Sequence, residues 1–142
     1  MPPNRDNLTR GGMRVTRCFL MILLLLSSSP AFAEWVRLTE DEVMTVHFDP
    51  DTIRRKGNVV KIWLLYDYKT ALTQGRDAIF SAKMQSEYDC TEELVRTIAI
   101  SQYAGNMGKG KVVTINSADG QWSPVVPGSI GQREWKLACV KK

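Results

Sequence analysis

The sequence predicts an α+β fold: an antiparallel β-sheet of about five to six strands, flanked by a C-terminal α-helix and tied to it by a disulfide. Three observations predict it. Residues alternate with a period of two from Phe80 to Cys90, and the connections between extended segments are too short to hold crossover helices. The chain then changes character after Pro127-Gly128, where a helix-capping serine and good helix formers follow.

The N-terminal third has the order of an export signal. Arg5, Arg10, Arg14 and Arg17 precede the apolar run Cys18 to Leu26, a polar stretch Ser27 to Pro30 and the small-residue site Ala31-Phe32-Ala33. Residues 1–33 therefore read as a signal peptide cleaved after Ala33, and residues 34–142 as one domain. Met13 is an alternative start that keeps Arg14, Arg17 and the whole apolar run. That run is about nine residues where a spanning helix needs about 20, so no membrane anchor is expected after cleavage. Cys18 opens the run instead of closing it, and Arg17 stands where lipidation requires a small residue, so no lipid is expected either.

Cleavage removes four of 19 basic residues and one of 15 acidic ones, leaving 15 against 14. The basic balance of the full chain thus belongs largely to the leader and does not point to nucleic acid. Two cysteines remain, Cys90 and Cys139, in a compartment where thiols oxidise, and they are expected to bond to each other.

Extended segments are predicted in order at Trp35 to Leu38, Val43 to Phe48, Val59 to Tyr68, Phe80 to Cys90, Leu94 to Tyr103 and Lys111 to Ile115. Between them stand the turn signals Asp49-Pro50-Asp51, Lys56-Gly57-Asn58, Gln74-Gly75-Arg76, the glycines around Met107, and Asp119-Gly120. Val59 to Tyr68 is apolar on both sides, with Val60, Ile62, Leu64, Tyr66 and Tyr68 opposed to Trp63 and Leu65, so it reads as a central strand covered on both faces. In Phe80 to Cys90 the alternation places Phe80, Ala82, Met84, Tyr88 and Cys90 in the core and Ser81, Lys83, Gln85, Glu87 and Asp89 in water. Ser129, with Gln132 three residues on, caps a helix running through Glu134 to Val140, and Lys141 and Lys142 suit its negative end. Trp135, Ala138 and Cys139 share one side of that helix, while Leu137 and Val140 fall off the stripe.

Few residues carry a signature of chemistry. Gly105-Asn106-Met107-Gly108-Lys109-Gly110-Lys111 fits a phosphate-binding loop until Val112 replaces the hydroxyl that holds magnesium and a strand replaces the helix, so it reads as a glycine-rich hairpin. His47 is the single histidine, in a strand whose neighbours Val46 and Phe48 face the other way, and no nucleophile or further ligand is spaced to join it. Glu40, Asp41, Glu42, Asp49 and Asp51 lack the spacing of a calcium loop and read as a solvated face and a turn. No catalytic residue, metal site or cofactor is expected. Arg54, Arg55 and Lys56 form the one basic cluster, read as a hairpin tip or as a surface for an acidic or polyanionic partner. Trp63, Trp122 and Trp135 are expected in the core, and Tyr103 is a candidate exposed contact residue.

The ordered punctuation of the chain resembles a known family. Trp35, Asp49 before Ile53, Gly57-Asn58 ahead of a strand holding Trp63 and Tyr68, Tyr88-Asp89-Cys90, and Gly108 with Gly110 ahead of Val112-Val113 come first; Trp122-Ser123-Pro124-Val125 and Pro127-Gly128-Ser129 then lead to Cys139. Across the segment after the leader this set is similar to the surface-adhesin protein E family of proteobacteria. The resemblance implies an antiparallel sheet flanked by a C-terminal helix, a disulfide matching Cys90 and Cys139, export, a non-enzymatic role in binding host extracellular proteins, and a tendency to dimerise. The founding type is lipid-anchored, and the leader here departs from it. Two readings follow: an exported adhesin that engages a protein through a sheet edge or an exposed aromatic patch, with Arg54 to Lys56 steering, or a periplasmic module that binds another envelope protein or itself.

Overall fold

The computed structural model describes residues 34–117 and 120–140. The leader read at residues 1–33, and the terminal Lys141 and Lys142, lie outside the described residues. Among the described residues, no helix is long and apolar enough to cross a membrane.

The strands are β1 (Val36–Glu40), β2 (Met44–Phe48), β3 (Arg54–Lys56), β4 (Val59–Gln74), β5 (Asp77–Asp89), β6 (Leu94–Tyr103), β7 (Val112–Ser117) and β8 (Ser123–Pro124), followed by helix α1 (Ile130–Cys139). They form one sheet in the order β1-β2-β4-β5-β6-β7, with β3 paired to β4 and β8 to β6, and every pairing is antiparallel. The predicted fold class therefore holds, but the sheet has 8 strands instead of five or six. The additional two, β3 and β8, are only three and two residues long. Segments that short have no periodicity to read, and their pairing partners alone make them strands.

Even-numbered residues of β4 face the helix. Val46, Phe48, Val60, Ile62, Leu64 and Tyr88 join Leu137 and Ala138 in one core, and Val60, Leu64 and Tyr88 are wholly inaccessible. Leu137 is thus buried with Ala138, against the stripe read from sequence, while Trp135 and Cys139 are half-buried at its margin. Ser129 caps α1 as predicted, its Oγ accepting from the Gln132 N–H at 3.1 Å. The Gln132 side chain reaches back one residue further than a capping box requires and accepts from the Gly128 N–H at 3.0 Å. Cys90 and Cys139 are bonded, with their Cα atoms 5.4 Å apart, and the Trp135 indole N–H donates to the Asp89 carbonyl beside them.

The opposite face of the sheet is covered at one end only. The loop between β6 and β7 folds back over β4 and β5: the Gly108 N–H donates to Ser81 Oγ at 2.9 Å, the Ser81 hydroxyl donates to the Gly105 carbonyl, and the Met107 N–H donates to Asp67 Oδ1 at 2.6 Å. Ser81, which the alternation placed in water, is consequently wholly buried, as is Leu65 on the neighbouring strand. The glycine hairpin is therefore a lid for the central strands. Gly108 sits at φ +66, a conformation that favours glycine, and a Cβ there would also have to displace the end of the Lys83 side chain.

Candidate functional site

The uncovered end of this second face carries the densest charge. Antiparallel register sets Arg54 opposite Lys61, Lys61 opposite Glu87, and Glu87 opposite Arg96, so residues from β3, β4, β5 and β6 form one transverse row. Around that row is a concavity of about 610 Å³ lined by Arg54, Arg55, Lys56, Lys61, Arg96 and Glu87, with Val59 as its apolar lining residue. Glu87 accepts from Arg96 Nε and Nη2 at 2.8 and 2.6 Å, and the Arg96 guanidinium lies 4.5 Å from the centre of the Trp122 ring. Among the described residues, Arg54, Lys56 and Lys61 form no ion pair.

The structure divides the basic cluster seen in the sequence. Arg54 and Lys56 are exposed on the second face, and Arg54 Nη1 is fixed locally by the Asp51 and Ile53 carbonyls at 2.7 and 3.0 Å. Arg55 alternates to the helix side, where Nη2 donates to the Ala138 carbonyl at 3.0 Å and Nη1 approaches Cys90 Sγ at 3.8 Å. It satisfies a carbonyl at the helix C-terminus, a position that favours a cation. Lys61 and Arg96 replace it in the surface group. Nothing local marked them, because they stand in strands five and some forty positions beyond Lys56, and only pairing brings them beside it.

Tyr103 is half-buried at the far end of β6, with Lys83 Nζ 5.1 Å from its ring centre and 5.8 Å from that of Trp35. Seven residues of strand separate it from Arg96, about 20 Å. The two sets of candidate contact residues thus occupy opposite ends of one face. Trp63, Trp122 and Trp135 are half-buried instead of in the core, and of the three Trp135 packs against it.

One buried ionisable group was missed. Glu134 projects from α1 into the core, where the Tyr66 and Tyr88 hydroxyls donate to its two carboxylate oxygens at 2.6 and 2.8 Å. Burial pushes its pKa above the ordinary glutamate value, and the two hydroxyl donors oppose that shift. Burial, with the carboxylate's charge added to it, holds both phenols protonated far above their usual range. The arrangement anchors the helix to β4 and β5 through polar groups that satisfy one another. His47 faces away from this network, with its Nδ1 buried and unpartnered.

The remaining edge of the sheet is β7. Val112-Val113-Thr114-Ile115-Asn116-Ser117 is uncharged and, among the described residues, pairs only with β6; Val112 and Ile115 are 43% and 71% exposed. An edge with no charge or proline is a ready surface for another chain.

These features belong to a fold seen before. Structures of Haemophilus influenzae protein E superpose with TM-scores of 0.61 and 0.59, at 11% and 10% identity, covering 78% of this chain and 90% and 88% of theirs. Protein E from non-typeable Haemophilus influenzae gives a TM-score of 0.57 at 13% identity over 78% of this chain and 80% of that one. No curated protein matches the chain in sequence. The family described as surface-adhesin protein E matches residues 35–140, which takes in every strand, the glycine lid and the disulfide-bonded helix, and the chain belongs to that family.

Proposed function

We propose that this chain is an exported, non-enzymatic adhesin-type module that captures an extracellular protein along the open edge of its sheet. The observation that carries the reading is β7, an uncharged six-residue strand with one neighbour and two large exposed aliphatic side chains. A partner segment added there gains main-chain hydrogen bonds along its length and seats side chains against Val112 and Ile115. Arg54 and Lys56, on the surface at the other end of the domain, add long-range attraction for an acidic partner and act on association rate more than on the bound state. The same edge can accept a second copy of the chain, which makes self-association part of the proposal.

The test uses intact cells carrying the wild-type chain or Ile115→Lys, allowed to settle on surfaces coated with extracellular matrix. The lysine places a charge on the edge, so attachment should fall several-fold while surface protease still digests both forms. Equal attachment by the two would remove the edge from the mechanism. The alternative of a periplasmic module that binds an envelope protein is favoured by the leader, where Arg17 before Cys18 denies a lipid anchor. Resistance of the chain to protease in intact cells, and its release on opening the outer membrane, would establish that alternative.

A further inference from the structure

Residues 34–142 carry 15 Lys and Arg against 14 Asp and Glu, yet the concavity on the second face gathers Arg54, Lys56, Lys61 and Arg96 around one anion, Glu87, with Arg55 at its margin turned toward the helix. A near-neutral domain thus carries a local excess of positive charge at one hollow, and low-dielectric walls focus the field of such a cluster outward.

The form of the hollow narrows what it can take. Its cations stand on β3, β4 and β6, with Glu87 on the intervening β5, so at about 4.8 Å per strand the row from Arg54 to Arg96 runs about 14 Å. That length suits several anionic groups carried on one chain more than it suits a single ion. Glu87 does not cancel the row: it is occupied by Arg96, which it holds rigid beside Trp122, while Arg54 spends only Nη1 on the Asp51 and Ile53 carbonyls and, among the described residues, Lys56 and Lys61 form no ion pair. Recognition of an acidic peptide would call for apolar anchor pockets, and here Val59 is the apolar lining residue. The wall is instead almost wholly charged, and the Arg96 guanidinium, stacked over the Trp122 ring and paired to Glu87, holds a fixed position in it.

We infer that this concavity binds a sulfated polysaccharide, with its anionic groups seated on Arg54, Lys56, Lys61 and Arg96 across the strands. The inference rests on the reading of the chain as an exported module only for where such a polymer is met. The seating itself is independent of the β7 edge, which lies on the other side of β6 from the row's origin on β3.

The experiment measures binding of a size-defined heparin oligosaccharide to the purified protein, with desulfated heparin and polyglutamate as comparison probes. Heparin affinity should fall at least about tenfold between about 50 and 200 mM salt, as release of several counterions requires. Neutralising Arg54→Gln, Lys56→Gln and Lys61→Gln together should weaken it about 30-fold or more and flatten the salt slope, whereas Lys136→Gln on the exposed side of the helix should change nothing. Thermal melts verify the fold of each variant. If the triple substitution does not fold, Lys56→Gln alone, at an exposed strand end, should still cost about threefold. No binding at low salt, binding untouched by the substitutions, or polyglutamate or desulfated heparin binding as tightly as heparin would each overturn the assignment. Ile115→Lys should leave heparin affinity unchanged, so loss of matrix attachment and loss of heparin binding report on separate sites.

Discussion

Glu134 shows how a single side chain can answer to its surroundings alone. In the sequence it is one more helix former between Arg133 and Trp135; in the fold it is 4% exposed and held between two phenols. Its folded pKa lies above 4.5, so the protonated form is favoured in the native state. The stability it contributes is therefore full below the ordinary glutamate pKa and is lost as pH rises through the raised value. Asp41 works in the opposite direction: the Met44 and Val43 N–H groups hold its carboxyl below the usual range, so its share appears above that range and is lost on acidification. Urea melts across pH 4 to 8 should show Glu134→Gln flattening the decline on the alkaline side relative to wild type, since an amide keeps the shape without the charge. Glu134→Ala should instead cost about 2 to 4 kcal/mol, by leaving two buried hydroxyls unsatisfied and a cavity behind. A pH profile identical in Glu134→Gln and wild type would mean the carboxylate is solvated. The same dependence on surroundings separates Arg55 from its neighbours, because alternation sends it to the helix while Arg54 and Lys56 stay outside.

Helix α1 is ten residues long, too short to persist alone, and its attachments are what make it an element. They are the Leu137 and Ala138 contacts, the Tyr66 and Tyr88 bonds to Glu134, the Arg55 bond to Ala138, and the disulfide across 49 residues of chain. Closing a loop of that length is worth about 4 kcal/mol on the chain-entropy account. Cys90→Ser or Cys139→Ser should therefore lower stability by about 2 to 5 kcal/mol in thermal melts, and the free partner thiol should become reactive. A non-reducing peptide map showing both thiols free in the exported protein would remove that contribution. Ser129→Ala should cost about 1 kcal/mol by releasing the Gln132 N–H at the other end. In the lid, Gly108→Ala puts a Cβ against Lys83 at positive φ, so amide exchange should speed first in the segment around Met107 and at Ser81.

At the scale of the whole molecule, one face of the sheet is closed by the helix and the other is half closed by the glycine lid, which leaves a basic end and an uncharged edge for partners. We propose that the domain begins at Glu34 once the leader is removed. Mass spectrometry of the exported chain should find that N-terminus without an acyl group, and a retained leader or a lipid on Cys18 would reverse both export by cleavage and free diffusion. If the basic end steers an acidic protein partner, neutralising Arg54 and Lys56 should slow association and weaken its salt dependence while shifting stability by no more than about 0.5 kcal/mol. Stopped-flow association across a salt series is the measurement, and an unchanged on-rate would leave those residues as the exposed end of a hairpin.

Part of this architecture is written into the chain wherever local chemistry enforces it. The period of two in Phe80 to Cys90, the turns at Gly57 and Gly75 and the Ser129 cap follow from short-range rules, the Cys90–Cys139 bond from there being two cysteines after the leader, and each stands in the structure. Together with the order of its aromatic and glycine signals, they were enough to identify fold and family. The length of the β4–β5 hairpin was less legible: pairing resumes from Leu72 with Ile79 to Gln74 with Asp77 after a register shift, in a stretch exposed to water, where no core imposes an apolar pattern. Tertiary structure alone decided the rest. It buried Ser81 under the lid, admitted Leu137 and Glu134 to the core, and turned Arg55 toward the end of the helix while adding Lys61 and Arg96 to the surface row. The reason is that burial and charge clustering depend on which strands lie side by side, and β3, β4, β5 and β6 meet across separations that no local pattern records.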